Sequence, residues 1–403
     1  MIPLEGPDGP APTARHFFAD LDSHGLANGL VAFLFAATGP LVILLSVAKS
    51  GGLSEAETAS WIFACFGISG LFTMVFSWRY RMTAGMAWTI PGSVLLVSAF
   101  EHLSFAEIVG AMLASGLLIG LLGITGLVRR VMEAIPMPVV MGMVAGVFLP
   151  FGLEIVRAFG PAPAMAGAMV VAFVAVSLHP PLARRLPPTL AALLAGLAVL
   201  LAQDRLGDLD GLRFALAEPV WQRPAFSWQA MLELVIPLTI TVVVIQNGQG
   251  FVILKQAGYR PPQNTLTAAC GLGSVIFAFL GSVPMCVTGP SNGILNTSGD
   301  LSRRWAAAVL FGLLMFLFGL FAPVTTGLGL ALPAAYIGLL GGLAMLPVLQ
   351  GAFTTAFQGR HSLAALVAFL VTVADQALFN VGAAFWGLVF GYLASRLLER
   401  DAA

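Results

Sequence analysis

A run of neutral polar residues interrupts an otherwise apolar stretch near residue 240. It contains Thr239, Thr241, Gln246, Asn247 and Gln249. At 3.6 residues per turn, the first, third and fifth of these share one face of a helix. Amides and hydroxyls donate and accept hydrogen bonds without carrying charge. The pattern indicates either a ligand site or hydrogen-bonded packing between helices. Ligand binding is favoured for Gln246 and Gln249, and both readings are open for Asn247.

Two further apolar stretches, 84–93 and 281–293, are each interrupted by glycine and proline. Each reads as a short extended piece, a Gly/Pro break and the start of a helix, because proline suits the first helical turn. A helix that begins inside a membrane, here called a half-helix, exposes unpaired N–H groups and the positive end of its dipole. Together these bind an anion without a basic side chain. The alternative is that Pro91 and Pro290 only kink ordinary helices.

The two breaks predict donors and flat rings around one ligand. The donors expected at the starts of the half-helices belong to Gly92, Ser93, Ser291 and Asn292. Trp88 precedes the first break and Phe33 lies in the first long apolar run, so either ring could flank a planar ligand. The alternative for both rings is packing, which is the common role of aromatic residues in so apolar a chain. Together with the polar face near residue 240, these residues form the predicted substrate site.

Ionisable groups are scarce in the apolar stretches. All five histidines fall at segment ends or in loops, as do Glu101, Glu154 and Glu233. Asp375 lies in an apolar stretch at an expected tight turn, so it is a weak candidate for the proton-carrying acid, against a hydrated turn residue. The three cysteines lack metal or redox spacing and are expected to pack. No motif predicts a catalytic residue, a metal or a cofactor, so no enzyme activity is expected.

The composition shows what surrounds these residues. Hydrophobic residues make up 58% of the chain and charged residues only 9%, whereas a soluble domain carries roughly 25% charged residues. A surface this poor in charge has to face lipid. The formal net charge is zero, so no nucleic-acid partner is expected. The elements that position the candidate site are therefore transmembrane helices.

A spanning helix needs about 20 mostly apolar residues, and we predict fourteen such segments, with twelve as an alternative because several are short or fused. They lie near 26–48, 56–77, 82–100, 105–127, 136–156, 162–179, 187–203, 230–254, 264–281, 283–299, 304–322, 332–350, 362–375 and 377–396. With the N-terminus inside, fourteen of the nineteen Lys and Arg residues fall on the inner side. This bias predicts that both termini are cytoplasmic.

Seven segments on each side of a central polar loop imply that the second half is inverted relative to the first. The predicted fold is an all-α polytopic membrane protein whose third and tenth segments are broken and contain short strands. Its parts are a cytoplasmic segment 1–25, a first repeat 26–203, a periplasmic loop 204–229, an inverted second repeat 230–396 and a cytoplasmic tail 397–403.

Several local motifs resemble the BenE family of benzoate transporters. They are TIPGS at 89–93, IPMPVVMG at 135–142, IPLT at 236–239, QNGQG at 246–250, AGYRPP at 257–262 and AAFWG at 383–387. The likeness covers about residues 15–398. It implies a secondary transporter that imports benzoate or a similar aromatic carboxylate with a proton across a bacterial inner membrane. Transport of another anion or of a nucleobase is the alternative, and an anion channel is a weaker one.

The organisation is also similar, more distantly, to nucleobase transporters typified by the uracil carrier UraA. That resemblance implies fourteen helices in two inverted repeats, divided into a core and a gate domain, and a homodimer. By position it implies Gln246 for the glutamate of the eighth helix, and Ser291 or Asn292 for the acidic position of the tenth. Amides and hydroxyls in place of carboxylates suit an anionic ligand, and they leave the proton-carrying residue unassigned.

Overall fold

A computed structural model gives the fold and describes residues 4–7, 9–130, 135–183, 186–203, 214–296, 299–330, 332–376, 378 and 383–399. The chain is helical, with two short strands, β1 (Met86–Trp88) and β2 (Met285–Val287). The helices of the first half are α1 (Ala14–Asp20), α2 (Ser23–Ser50), α3 (Glu55–Tyr80), α4 (Ile90–Ala99), α5 (Phe105–Thr125), α6 (Met137–Arg157), α7 (Pro163–Ser177), α8 (Pro180–Ala183) and α9 (Pro188–Ala202). Those of the second half are α10 (Trp228–Gln256), α11 (Gln263–Phe279), α12 (Gly289–Leu295), α13 (Arg304–Leu320), α14 (Ala322–Leu330), α15 (Ala334–Phe357), α16 (Ser362–Ala374) and α17 (Ala383–Leu397).

Each of the fourteen predicted apolar runs contains at least one of these helices. Within the described ranges, six helices are long and apolar enough to cross a membrane: α2, α3, α5, α6, α10 and α15. Six shorter apolar helices of 10–17 residues accompany them. The chain is therefore built as a polytopic membrane protein, and helix length alone does not establish the count of fourteen.

Local sequence signals explain where several helices begin and end. The hydroxyl of Ser54 accepts the N–H of Glu57, and the Glu57 carboxylate accepts the N–H of Ser54, which closes a capping box at the start of α3. Ser104 and Glu107 repeat this arrangement at the start of α5. These reciprocal bonds satisfy N–H groups that have no partner inside the helix. At the end of α5, Gly126 adopts a left-handed conformation with φ of 73°, which glycine tolerates best.

The two predicted breaks are present, and their strands pair with each other. The pairing is antiparallel, with Met86 opposite Val287, Ala87 opposite Cys286 and Trp88 opposite Met285. One bond at each end extends the ribbon: Thr89 N–H donates to Pro284 O and Thr288 N–H donates to Gly85 O, both at 3.0 Å. Each strand is followed at once by a half-helix, α4 or α12. The prediction of short strands in both broken segments is confirmed.

Both strands begin in the same way. The N–H of Met86 donates to the hydroxyl of Thr73 in α3, and the N–H of Met285 donates to the hydroxyl of Ser274 in α11, each at 2.9 Å. In each half, the helix before the strand thus supplies the hydroxyl that holds the first strand residue. A buried N–H without a partner is costly. Both halves of the chain satisfy the first strand N–H with a side-chain hydroxyl of the preceding helix.

Glycines bring several helices into close contact. A Cβ added at Gly116 of α5 would lie 2.9 Å from the backbone N of Val275 in α11, and one at Gly312 of α13 would lie 2.7 Å from the carbonyl of Gly70 in α3. Two further pairs of glycines four residues apart also face a neighbouring helix of the same chain: Gly142 and Gly146 face α16, and Gly387 and Gly391 face α16 as well. These spacings therefore serve packing within the chain.

The helices divide into two packed groups. The strand bundle, as we call it, comprises α2 to α5 and α10 to α13 around the β1–β2 ribbon, and the second bundle comprises α6, α7, α9, α15, α16 and α17. The two bundles meet where α2 packs on α9 and α15, where α4 packs on α6, and where α17 packs on α10.

The described part of the N-terminal segment is held against the strand bundle. The Glu5 carboxylate accepts the backbone N–H of Thr265 at 2.9 Å and that of Asn264 at 3.2 Å, at the start of α11. Tyr80 donates its hydroxyl to the Glu5 carbonyl. The residue before α11 is Pro262, which offers no side-chain cap, so a carboxylate from a distant segment satisfies the first turn.

Candidate functional site

Helix α10 carries the predicted polar face and is wound irregularly there. Two π-helical turns, Met231–Val235 and Thr241–Gln246, interrupt it, and such turns are frequent at functional sites. Gln246 ends the second turn, is 7% exposed and has no hydrogen-bond partner among the described residues. The hydroxyl of Thr239 is fully buried and likewise unpaired within that part of the chain.

The first contact of α10 is with the start of α4. Thr89, the N-cap of α4, donates its hydroxyl to that of Thr241 at 3.2 Å. Gly92 lies close to Leu238: a Cβ added at Gly92 would be 3.1 Å from Leu238 Cδ2. Helix α10 therefore runs beside the first half-helix at the level of its opening turn.

The second contact of α10 is with the start of α12. Gln249 lies over Gly289, where an added Cβ would be 2.5 Å from Gln249 Oε1. The Gln249 side chain is exposed and has no hydrogen-bond partner in the described chain. Gln246 lies between Thr241 and Gln249 along the same helix.

The hydrogen-bond donors at the start of α4 are already bonded within that helix start. Gly92 N–H donates to the Thr89 hydroxyl at 3.1 Å, and the hydroxyl and N–H of Ser93 both donate to the Thr89 carbonyl. Pro91 has no N–H to offer. Gly92 and Ser93, expected to supply donors to a ligand, are thus engaged within the helix because Thr89 is an effective N-cap.

The start of α12 is different. Its N-cap, Thr288, makes no side-chain cap bond. Ser291 is 2% exposed, and its hydroxyl has no partner among the described residues. Of the two half-helices, α12 is therefore the one whose first turn leaves donors available.

Two predicted contact residues hold the strands instead. Asn247 is fully buried, and its side-chain oxygen accepts the Val287 N–H at 2.7 Å. Asn292 is also fully buried. Its oxygen accepts the Gly85 N–H at 2.8 Å, and its nitrogen donates to the carbonyls of Gly85 at 3.0 Å and Thr288 at 2.7 Å. Their amides are occupied by the fold, so both residues position the site rather than offer free groups to it.

A row of aromatic rings connects the two predicted ring-flanking residues. Phe33 contacts Phe318 with centroids 5.6 Å apart, Phe318 contacts Phe66 at 4.7 Å, and Phe66 contacts Trp88 at 4.7 Å. Phe66 and Phe318 were not singled out in the sequence, because no local signal distinguishes them among 29 phenylalanines. The row gives the ribbon end of the strand bundle an apolar, aromatic wall.

A cavity of about 710 Å³ lies between the two bundles, and Asp375 lines it rather than the polar site. Its wall on the strand bundle includes Val94, Leu95 and Ser98 of α4. Asp375 is exposed at the end of α16 with φ of 48°, which fits a hydrated turn residue. None of the predicted substrate-site residues lines this cavity. Across the described ranges, no three His, Cys, Asp or Glu side chains form a group that could hold a metal ion.

Comparison with known proteins decides the family. The chain matches the family model for the benzoate membrane transport protein, BenE, over residues 19–397. The chain belongs to the BenE family. It is 31% identical over 370 residues to the inner membrane protein YdcO of Escherichia coli (strain K12), covering 91% of this chain and 93% of that protein. It is 30% identical over 386 residues to the benzoate membrane transport protein of Acinetobacter baylyi (strain ATCC 33305 / BD413 / ADP1), covering 93% and 95%.

The fold of this BenE-family chain is similar to that of a solved anion carrier. The transmembrane domain of a cyanobacterium bicarbonate transporter, BicA, matches with a TM-score of 0.61 over 92% of this chain and 98% of that one, at 16% identity. Such low identity shows the fold alone. Family and fold together make the chain a multi-pass membrane transporter and not an enzyme.

Two residues at the candidate site of this BenE-family transporter were not predicted from the sequence. Thr89 and Thr288 each precede a Gly/Pro break, in TIPGS and TGPSN, and the structure makes both the N-cap of a half-helix. The preference of threonine for the N-cap position is a local signal that could have found them. Which of the two hydroxyls is engaged as a cap is not a local property.

Proposed function

We propose that this BenE-family protein imports benzoate or a similar aromatic carboxylate together with a proton, as a secondary active transporter. The observation that carries the proposal is the start of α12, where a first turn without a side-chain cap bond meets the unpaired amide of Gln249. The segments around it, 84–93, 236–250 and 284–296, contain no Asp or Glu. Donors without a neighbouring carboxylate favour an anionic ligand.

The aromatic row supports a ligand that carries a ring. Phe33 and Phe318, the partly exposed members of the row, present apolar and edge surfaces that suit a planar aryl group, and the buried rings of Phe66 and Trp88 back them. The printed name of the Acinetobacter baylyi relative gives benzoate as what that protein transports. In this proposal, the carboxylate lies at the start of α12 beside Gln246, Gln249 and Ser291, and the ring points toward the aromatic row.

We further propose an arrangement of fourteen segments as two inverted repeats in a bacterial inner membrane. The matching strand starts, held by Thr73 and Ser274, support the repeat. The basic-residue bias supports cytoplasmic termini and a periplasmic loop at 204–229. The name of the Escherichia coli relative supports the inner membrane, and a homodimer follows from the fold resemblance.

Transport of another anion is the second candidate. The similar fold of a bicarbonate transporter favours it, because a half-helix start recognises negative charge rather than a ring. A nucleobase is less favoured, because amides stand where the resembling nucleobase carriers have carboxylates. A channel is the weakest alternative, because neither Gln246 nor Ser291 lines the cavity between the two bundles.

The test uses the purified protein in liposomes with radiolabelled benzoate. We expect saturable uptake that rises with an inward proton gradient, is abolished by a protonophore, and is competed by unlabelled benzoate but not by bicarbonate or uracil. Uptake driven by sodium and indifferent to protons would contradict the coupling. Equal competition by bicarbonate would favour the second candidate.

A further inference from the structure

Glu233 is the only Asp, Glu, Lys, Arg or His that is buried among the described residues. Its side chain is 3% exposed, and its Oε2 lies 2.8 Å from Nε2 of His102, whose side chain is 30% exposed. Glu233 sits in the middle of the π-helical turn Met231–Val235 of α10. The sequence places Glu233 near the end of a segment, and packing around the widened turn covers its side chain.

His102 is the side chain that this carboxylate contacts. The helices packed against the Met231–Val235 turn are α5 and α17, together with the adjoining turns of α10 itself. Their other ionisable groups are Glu107 in the first turn of α5, Arg396 at the far end of α17 and Lys255 at the far end of α10. Glu101 adjoins His102 in the chain. The nearby groups are thus acids, and none of them replaces the imidazole.

The pair joins the outer ends of the two elements that build the candidate site. His102 follows the C-terminal end of α4, and Glu233 precedes Thr241 on α10 by eight residues, which is about 12 Å of helix. The other end of α4 is bonded to α10 through Thr89 and Thr241. Helix α17 of the second bundle packs on the same turn of α10, so the pair lies at the boundary between the two bundles.

The proton content of the pair sets its charge. Imidazolium with carboxylate is neutral overall, whereas neutral imidazole with carboxylate leaves one uncompensated negative charge. Burial disfavours an uncompensated charge. His102, partly exposed, gives the extra proton of the neutral pair a path to water.

We propose that the Glu233–His102 pair is the proton-binding site of this transporter, an inference that rests on the proposed proton-coupled import. One proton binds the pair for each carboxylate monoanion carried, so transport is electroneutral. The proton comes from water on the side from which the substrate enters and returns to water on the other side, and no covalent bond to the substrate changes.

The test separates substrate exchange from proton-driven accumulation in liposomes. Glu233→Gln keeps the size and a hydrogen bond to His102 but carries no ionisable proton. We expect it to exchange internal unlabelled benzoate for external labelled benzoate at a rate close to wild type. An inward gradient of one pH unit should drive about tenfold accumulation by wild type and none by this variant. Glu55→Gln, an exposed acid, is the matched control and should keep both activities.

A second variant and a folding measurement keep the proposal open to refutation. His102→Gln should also keep exchange and lose most accumulation, and both variants should match wild type in thermal unfolding. Accumulation retained by Glu233→Gln, or exchange lost in both variants at normal stability, overturns the proton site. If Glu233→Gln fails to fold, full accumulation by His102→Gln overturns the proton site instead. If wild type exchanges benzoate but a proton gradient drives no accumulation, the proposed coupling itself is overturned, and the proton site with it.

Discussion

Thr89 and Thr288 occupy equivalent positions before the two half-helices, yet their hydroxyls do different things. The Thr89 hydroxyl accepts the Gly92 N–H and donates to Thr241, whereas that of Thr288 makes no cap bond. The first turn of α4 is therefore satisfied internally, and that of α12 has donors left for a ligand. In the proposed site, the two similar motifs therefore contribute differently, and the start of α12 is the one that offers donors to an anion.

This difference predicts opposite effects of the same substitution. Thr89→Val removes an engaged cap and should lower the free energy of unfolding by about 0.5–2 kcal/mol. Thr288→Val removes no cap bond, so stability should stay within about 0.5 kcal/mol while benzoate affinity falls. Thermal unfolding in detergent and equilibrium binding of benzoate measure the two quantities. Equal losses of stability in the two variants would show that the caps are equivalent.

Gln246 provides the direct test of the proposed carboxylate site. Loss of one hydrogen bond to a charged group costs about 1.5–3 kcal/mol, so Gln246→Ala should weaken benzoate binding roughly ten- to a hundredfold. Gln246→Glu keeps the size but adds a like charge beside the substrate. If that glutamate is ionised, binding should fall further; if burial keeps it protonated, affinity should recover at acidic pH.

The control for this residue is Gln358→Ala, an exposed amide at the end of α15. It should leave benzoate affinity unchanged. Near-normal affinity of both Gln246 variants across the pH range, at equal expression, would mean that the polar face of α10 serves helix packing. The carboxylate would then have to bind elsewhere.

At the scale of elements, glycine contacts determine how closely the helices approach. Gly271 of α11 lies against the backbone of Gly120 in α5. A methyl group there meets main chain, which cannot rotate aside as a side chain can. Ser274 of α11 also holds the first residue of β2, so the separation of α5 and α11 also bears on the ribbon that places α4 and α12.

Gly271→Ala should therefore lower the free energy of unfolding by about 1–3 kcal/mol, as overpacking does elsewhere. Gly167→Ala in α7 is the matched control, because an added Cβ there meets nothing within 4 Å. Alanine in an open helical position should be neutral or stabilising by up to about 1 kcal/mol. Thermal unfolding of the two variants in the same detergent compares them, and equal stability would argue against the tight α5–α11 contact.

For the whole molecule, two bundles with a cavity between them suggest relative movement around the candidate site. The cavity is bordered by α4 on one side and by α6, α15 and α16 on the other. The half-helices belong to the strand bundle, so a site carried by that bundle could open to either side as the bundles shift. The proposed proton pair lies at the same boundary, under α17.

The proposed orientation has a direct chemical test in a variant without native cysteines. Arg223→Cys, in the exposed part of the central loop, should react with an impermeant maleimide added to intact cells. Arg15→Cys, in the N-terminal segment, should react only after the membrane is breached. Both positions are exposed, so accessibility reports the side of the membrane. The reverse labelling pattern would invert the proposed topology.

The sequence by itself determined the features that depend on neighbours a few residues away. Apolar length placed the helical runs, and Gly/Pro punctuation placed both breaks, because a helix start at Pro91 or Pro290 is a matter of local backbone geometry. Family motifs such as QNGQG at 246–250 are local too, which is why the family could be inferred early.

Only the tertiary structure decided which polar groups remain free. Asn247 and Gln246 are adjacent amides on one helix, but Asn247 meets the Val287 N–H forty residues away and Gln246 meets no described partner. By its local sequence, Glu233 is an ordinary acid near a helix end. The fold brings its carboxylate to 2.8 Å from the imidazole of His102, 131 residues distant in the chain. Hydrogen-bond partners and burial are set by which segments the fold brings together, and residue type and local spacing do not carry that information.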